Sequence, residues 1–170
     1  MKHLQTNRSF VSYIDRTREY YAAQGYAKAY AWARYDDVPF ARLERPLSEC
    51  RVGLVTTAGK PQAKVKIDLL GLGLGVRELY AEPTNPPPTC LFTADLGWQK
   101  DATHTEDIDS YFPLNRLSEF RNDGRIRSVS PRFYGVPTDY SQSRTLERYA
   151  PQVFQWCRED RVDAVLLSAL

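Results

Sequence analysis

The residues open to chemistry fall into separate stretches of the chain. At 104–109 a single histidine, His104, stands beside Glu106, Asp107 and Asp109, just ahead of a segment in which Pro113 suits a first helical turn. A histidine next to carboxylates offers a general acid/base pair or half a metal site; the same carboxylates at a helix amino end also cap it and offset its dipole. At 56–59, Thr56, Thr57 and Gly59 offer hydroxyls and backbone N–H groups to an anion, or to a local turn of their own. Further on, Arg132, Tyr134, Asp139, Tyr140 and Ser141 crowd the loop that follows the strand candidate Ile126–Ser130. One histidine without a second cluster at ligand spacing falls short of a coordination set, so no metal is expected. Cys50, Cys90 and Cys157 are odd in number, far apart and outside any C-x-x-C pattern. They read as small buried apolar residues of a reducing compartment.

The elements that must position these groups follow from periodicity. SFVSYIDRTREYYAAQ, residues 9–24, sets Phe10, Tyr13, Ile14, Thr17, Tyr20 and Tyr21 at helical spacing, with Gly25 as the stop. The aromatic stripe reads as core or interface. Residues 26–50, interrupted by Pro39 and Pro46, read as an extended arm. RVGLVTTAG, 51–59, is the first strand, apolar through Val52, Leu54 and Val55 before the threonines. KVKIDLL alternates like a strand, and the GLGLG after it at 71–75 lacks both the spacing and the helix of a dinucleotide loop, so it reads as a turn. NPPPT at 85–89 imposes an extended segment, after which CLFTADL is a short strand candidate.

Leu114, Leu117 and Phe120 then give a helix that Gly124 ends, Ile126–Ser130 gives a strand that breaks at Pro131, and 146–161 gives a second helix with Val153, Trp156 and Cys157 inward. VDAVLLSAL reads as a buried strand of a parallel sheet. Strand, helix and strand over 125–170 make a βαβ unit. The whole is expected to be a three-layer α/β fold with a mostly parallel sheet, an amino-terminal helix and an extended arm. Residues 1–50 form the helix and arm, and 51–170 the α/β domain.

A length of 170 residues suits one domain, and a net charge of +2 with both signs interspersed argues against nucleic acid and membrane as partners. No apolar run approaches a membrane span and the start MKHLQTNRSF lacks a signal-peptide core, so the cytoplasm is expected.

RPLSECRVGLVTTAG at 45–59, ATHTEDIDSYFPLNRLSEFRNDGRIRSVSPRFYGVPTDYSQ at 102–142 and RVDAVLLSAL at 161–170 together resemble the glycine/sarcosine/betaine and D-proline reductase family, specifically its selenoprotein B-type subunit. FPLNRL followed by SVSPRFYG is the specific part, while YIDRTREYY, HTED and VPTDYSQ resemble an outlying branch. In that family the final strand runs directly into a selenocysteine or cysteine. The resemblance therefore implies that the nucleophile follows Leu170, and that this chain is the upstream part of a gene whose UGA was read as a stop. It also implies that a further strand and helix belong to the sheet.

The implied reaction is reductive cleavage of a C–N or similar bond in a small amine or amino-acid-like substrate. The selenolate or thiolate attacks the carbon, displaces the amine and forms an adduct that a second thiol resolves. His104, Tyr134 and Tyr140 are then the candidate proton donors, and Thr56, Thr57 and Arg132 the candidates for holding an acidic substrate group. The implied partners are a thiol or dithiol electron donor and a reductase partner subunit, with homo-oligomerisation open. No cofactor is expected in the chain beyond the selenocysteine or cysteine, and the 170 residues alone are expected to be inactive. The competing class is a non-catalytic ligand-binding or assembly subunit of the same α/β fold.

Overall fold

The computed structural model of the chain describes residues 15–16, 18–26, 36–38, 41–60, 66–67, 73–74, 78–91, 104–138 and 141–170. The chain divides into two compact units, Met1–Phe40 and Ala41–Leu170. In the first, residues 15–16 and 18–23 are helical (α1), and the expected stop at Gly25 takes a left-handed φ of 86°. Gly25 N–H bonds to Ala22 O at 3.0 Å and Tyr26 N–H to Tyr21 O at 3.2 Å, the paired bonds of a Schellman turn. The Tyr26 ring closes it, edge-on to Tyr21 at 5.8 Å. Residues 9–14 and 17 of the expected helix, and 27–35 and 39–40 of the expected arm, lie outside the described residues.

In the second unit, Val52, Leu54 and Val55 carry the β-favouring apolar run that makes β1 (Arg51–Thr56), the strand around which the sheet is built. β2 (Lys66–Ile67) and β3 (Gly73–Leu74) pair antiparallel as a separate ribbon, so part of GLGLG is strand. β4 (Tyr80–Pro83) follows, then a 3-10 turn at Ile108–Ser110 and helix α2 (Leu114–Asn122). β5 (Ser128–Val129) and β6 (Arg132–Gly135) come next. A helical turn α3 (Gln142–Arg144) passes through a π turn at Thr145–Tyr149 into α4 (Ala150–Glu159), and β7 (Ala164–Ser168) joins the sheet. The π turn has a local cause. Pro151 has no N–H to offer the carbonyl of Glu147 and its ring crowds that carbonyl, so the turn before it widens.

β7 lies parallel to β1 on one side, in register from Val52↔Ala164 to Thr56↔Ser168. On the other side β5 pairs Arg51↔Ser128 and Val52↔Val129, and β6 pairs Val55↔Tyr134 and Thr56↔Gly135, also parallel. From Val52 to Val55 β1 advances three residues while its neighbour advances five, from Val129 to Tyr134. The two extra residues bulge at Ser130–Pro131, where Pro131 has no N–H for the ladder. β4 pairs antiparallel with β6, Tyr80 opposite Gly135 and Pro83 opposite Arg132. Only a glycine fits at 135, because the Tyr80 ring lies where a Cβ would stand.

Alternation along β1 sends Leu54 and Val55 to opposite faces, and each face is covered. Leu54 joins Phe112, Leu114, Leu117, Ile126 and Phe133 on the α2 side. Val55 joins Tyr134 and Cys157, with Val153, Trp156 and Val162, on the α4 side. This is the three-layer α/β architecture with an open, mostly parallel sheet.

Both helices end in the same turn as α1. After α2, Gly124 has φ 70°, its N–H bonds to Arg121 O, and Arg125 N–H reaches Phe120 O at 2.8 Å. After α4, the left-handed position is Arg161, φ 54°, with Val162 N–H on Cys157 O at 2.8 Å.

Other expectations change too. The strand expected at 126–130 is short, and the one after it, β6, is hidden in sequence between Pro131 and Gly135. β7, expected to be buried, stands at the sheet edge with Val165 41%, Leu166 40% and Leu167 75% exposed. Among the described residues no strand pairs with its outer side. Cys50 and Cys157 are buried as expected, whereas Cys90, expected to be buried as well, is exposed; all three are free. Among the described residues no helix is long and apolar enough to cross a membrane.

Candidate functional site

β6, β1 and β7 run the same way, so their carboxyl ends share one edge of the sheet, the place where open α/β sheets bind ligands. β1 delivers Thr56 and Thr57 there. Thr56 is buried, and its Oγ1 accepts Ala58 N–H at 3.1 Å, which turns the chain off the strand. Thr57 continues the ladder with its own N–H to Ser168 O at 3.3 Å. Its Oγ1 accepts Leu170 N–H at 3.0 Å and donates to Leu170 O at 3.3 Å. One hydroxyl thus grips the backbone just past the end of β7, where strand pairing has stopped.

The grip is reinforced from both neighbours. Ser168 Oγ donates to Tyr111 O, from the turn that precedes α2, and Leu170 packs on the α2-side core. Tyr80 OH donates to Ala58 O, fixing the loop after Thr57. Burial, with the charge of Glu82 adding to it, pushes the Tyr80 phenol far above its ordinary value, so it stays a neutral donor. Lys60 sits 2.9 Å from Glu82 and 5.6 Å from the centroid of the Tyr80 ring. The arrangement fixes the tip of β7 against two loops and puts hydroxyls beside it, while Lys60 stands with Glu82 on the β4 side of the sheet.

Arg132 and Tyr134 meet at a different point, the Asp160 carboxylate at the end of α4. Arg132 donates Nε to Asp160 Oδ2 at 2.9 Å and Nη2 to Oδ1 at 3.0 Å, and Nη2 also reaches Glu159 at 3.0 Å. Tyr134 OH donates to Asp160 Oδ2 at 2.6 Å, lies 3.2 Å from Ser130 Oγ and stacks its ring on Trp156. Burial, followed by the Asp160 bond, pushes the Tyr134 phenol far up. Burial also works to raise the Asp160 carboxyl, but the hydrogen bonds and charges of Arg132, Tyr134 and Arg51 outweigh it and hold it below the usual range. A phenol tied to a carboxylate in this way anchors α4 to β6. Burial likewise pushes the neighbouring Cys157 thiol up, which keeps it uncharged.

His104 is exposed and stands 3.9 Å from Glu106 Oε2. No hydrogen bond or ion pair among the described residues joins it to Thr56, Thr57, Arg132 or Tyr134. Its companions act as caps. Asp107 accepts Asp109 N–H at 3.0 Å, and Asp109 accepts the backbone N–H of Asn115 at 3.0 Å and its side-chain amide at 2.9 Å. Tyr140 lies outside the described residues. The sequence candidates therefore separate into Thr56 and Thr57 at the carboxyl edge, Arg132 and Tyr134 on Asp160, and His104 on an exposed loop.

Asp160, Tyr80, Tyr111 and Ser168 were not singled out from sequence. Asp160 left a usable signal, since an acid at a helix carboxyl end opposes the dipole and needs a cation nearby. Tyr80, Tyr111 and Ser168 act through contacts between distant segments and left none. Among the described residues no group of three or more His, Cys, Asp or Glu could hold a metal ion. No family model matches the chain, and neither a curated protein nor a solved structure matches it.

Proposed function

We propose that the chain is a selenoprotein B-like reductase subunit that cleaves a C–N or similar bond of a small amine or amino-acid-like substrate, with a selenol or thiol nucleophile following Leu170. The observation that carries the reading is the hold of Thr57 on Ser168 and Leu170 at the carboxyl edge of a parallel sheet. A side chain borne just beyond that tip has a fixed backbone under it, which is what a nucleophile needs to meet a substrate carbon at a set distance. The selenol or thiol supplies two-electron chemistry, in which the C–N bond gives way to C–H and N–H at the expense of two electrons and two protons from a dithiol that becomes a disulfide.

In this reading Thr57 positions the reacting backbone and Thr56 orders the loop beside it. Arg132 and Tyr134, bound to Asp160, support the helix that feeds β7. His104 and Tyr140 are the remaining proton-donor candidates. Three free cysteines and a dithiol-driven reaction fit the cytoplasm, with a partner subunit or small dithiol as the electron donor.

The test is release of ammonia or amine by the protein purified from its native host, with dithiothreitol as donor and a panel of amines and amino acids as substrates. Release that requires the dithiol and is abolished by iodoacetamide is expected. Release without a dithiol, or none from any substrate by protein that carries the chalcogen, would overturn the proposal. The exposed apolar edge of β7, on whose outer side no strand pairs among the described residues, supports the same reading, in which a further strand and helix belong to the sheet.

A further inference from the structure

Helices α1, α2 and α4 end in one kind of turn, and its left-handed residue is glycine twice, Gly25 and Gly124, and arginine once, Arg161. A side chain at that backbone is unfavourable, and glycine removes the cost. Among the described residues nothing repays it. Arg161 is exposed, and among the described residues no hydrogen bond or ion pair engages its guanidinium. The carboxylates around it are already committed. Asp160 holds Arg132 and Tyr134, and Glu159 holds Arg132 and Gln155. Asp163 accepts Arg51 N–H at 2.7 Å, with Arg127 at 3.4 Å and Arg45 at 3.8 Å.

These groups lie where α4 turns into β7 and where β1 begins, at the amino edge of the parallel strands and away from Thr57. Arg45, Arg51, Arg127, Arg132 and Arg161 stand there against Glu159, Asp160 and Asp163, with Glu44 and Glu49 exposed just ahead of β1, so the surface carries both signs, and of the five guanidinium groups only that of Arg161 has no partner among the described residues. Arg45 and Arg127 are exposed, and they share one carboxylate at long range, so both have donors to spare.

We propose that Arg161, with Arg45 and Arg127, is the anchor of a docking surface for an acidic segment of a protein partner. Forked guanidinium groups match carboxylates, and their planar fork loses less freedom per hydrogen bond formed than a lysine ammonium does. The interleaved Asp163 and Glu159 disfavour a continuous polyanion such as nucleic acid, and suit a polypeptide whose charges are spaced.

Fluorescein-labelled hexaglutamate, followed by fluorescence anisotropy with the full chain, is the probe, and hexaglutamine the control. Wild type is expected to bind hexaglutamate above hexaglutamine, with affinity falling as potassium chloride is raised. Arg161→Gly is expected to melt higher than wild type yet bind hexaglutamate about threefold to fivefold more weakly, the span that an exposed charge pair supplies. Because that variant gains stability, weak binding cannot be put down to misfolding. Arg161→Lys keeps the charge but loses the fork, and is expected to bind between wild type and Arg161→Gly. Unchanged affinity in Arg161→Gly, equal binding of hexaglutamine, or displacement by inorganic phosphate at the concentration of the peptide would each overturn the proposal.

Discussion

Substitution at Asp160 separates a structural role for Tyr134 from a catalytic one. The carboxylate takes two bonds from Arg132 and one from Tyr134. Asp160→Asn keeps an acceptor oxygen but removes the charge, leaving Arg132 with Glu159 alone. Breaking a fully buried ion pair costs ~3–5 kcal/mol. The Arg132 side chain is 31% exposed and keeps Glu159 at 3.0 Å, so ~2 kcal/mol is the expected loss. Tyr134→Phe keeps the ring on Trp156 and loses the bond to the charged Asp160 together with the contact to buried Ser130 Oγ, for ~2 kcal/mol. The double variant counts that bond once and is expected to fall short of the sum by ~1 kcal/mol. Urea unfolding followed by tryptophan fluorescence reads all three, with melting shifts of ~3 °C per kcal/mol.

The pH dependence carries the same signature. The Asp160 carboxyl is held low in the folded state, so its stabilisation is present above the unfolded carboxylate range, near pH ~4, and is lost as pH falls through the lowered folded value. Asp160→Asn should therefore show a shallower loss of stability on acidification. Additive losses in the double variant, or an Asp160→Asn protein as stable as wild type with the same acid limb, would refute the network. Tyr134→Phe abolishing turnover at unchanged stability would return the phenol to the role of proton donor.

Further outcomes follow from other contacts. Thr57→Val should speed hydrogen exchange at the Leu170 amide by at least ~10-fold, the loss of one local hydrogen bond, while Thr57→Ser retains protection; equal rates in all three would remove the grip from the account. Gly135→Ala forces a Cβ into the Tyr80 ring and should cost ~2–3 kcal/mol in urea unfolding, whereas the open turn at Gly124 should lose only ~1 kcal/mol on the same change. Leu167→Lys, at the most exposed apolar position of β7, should leave stability within ~0.5 kcal/mol and lower self-association in light scattering; unchanged association would clear that edge of blame.

Those elements whose signal is local could be read in the sequence. The apolar run of β1, the stops at Gly25 and Gly124, and the inward Val153, Trp156 and Cys157 of α4 each depend on neighbours within a turn or two, and the structure has them. β4 and β6 could not be read that way. Tyr80-Ala81-Glu82-Pro83 lacks alternation, and it is a strand because Tyr80 can lie over Gly135, more than fifty residues on. The site divided for the same reason. Thr57 was found from residue type at a strand end, but the sequence set Arg132 and Tyr134 beside the same crevice because they share a loop. Side-chain direction decided otherwise, since Asp160 draws both toward the end of α4. For β7 the apolar run was right for a strand and silent about its edge, which depends on which strand pairs beside it.

Closest to the reductase proposal is the mass of the tryptic peptide that begins at Val162, taken from protein made in its own host with selenium in the medium. The account predicts a peptide that runs past Leu170 into selenocysteine or cysteine and takes up iodoacetamide after dithiol treatment. A peptide ending at Leu170, or one continuing without either residue close behind it, would contradict it.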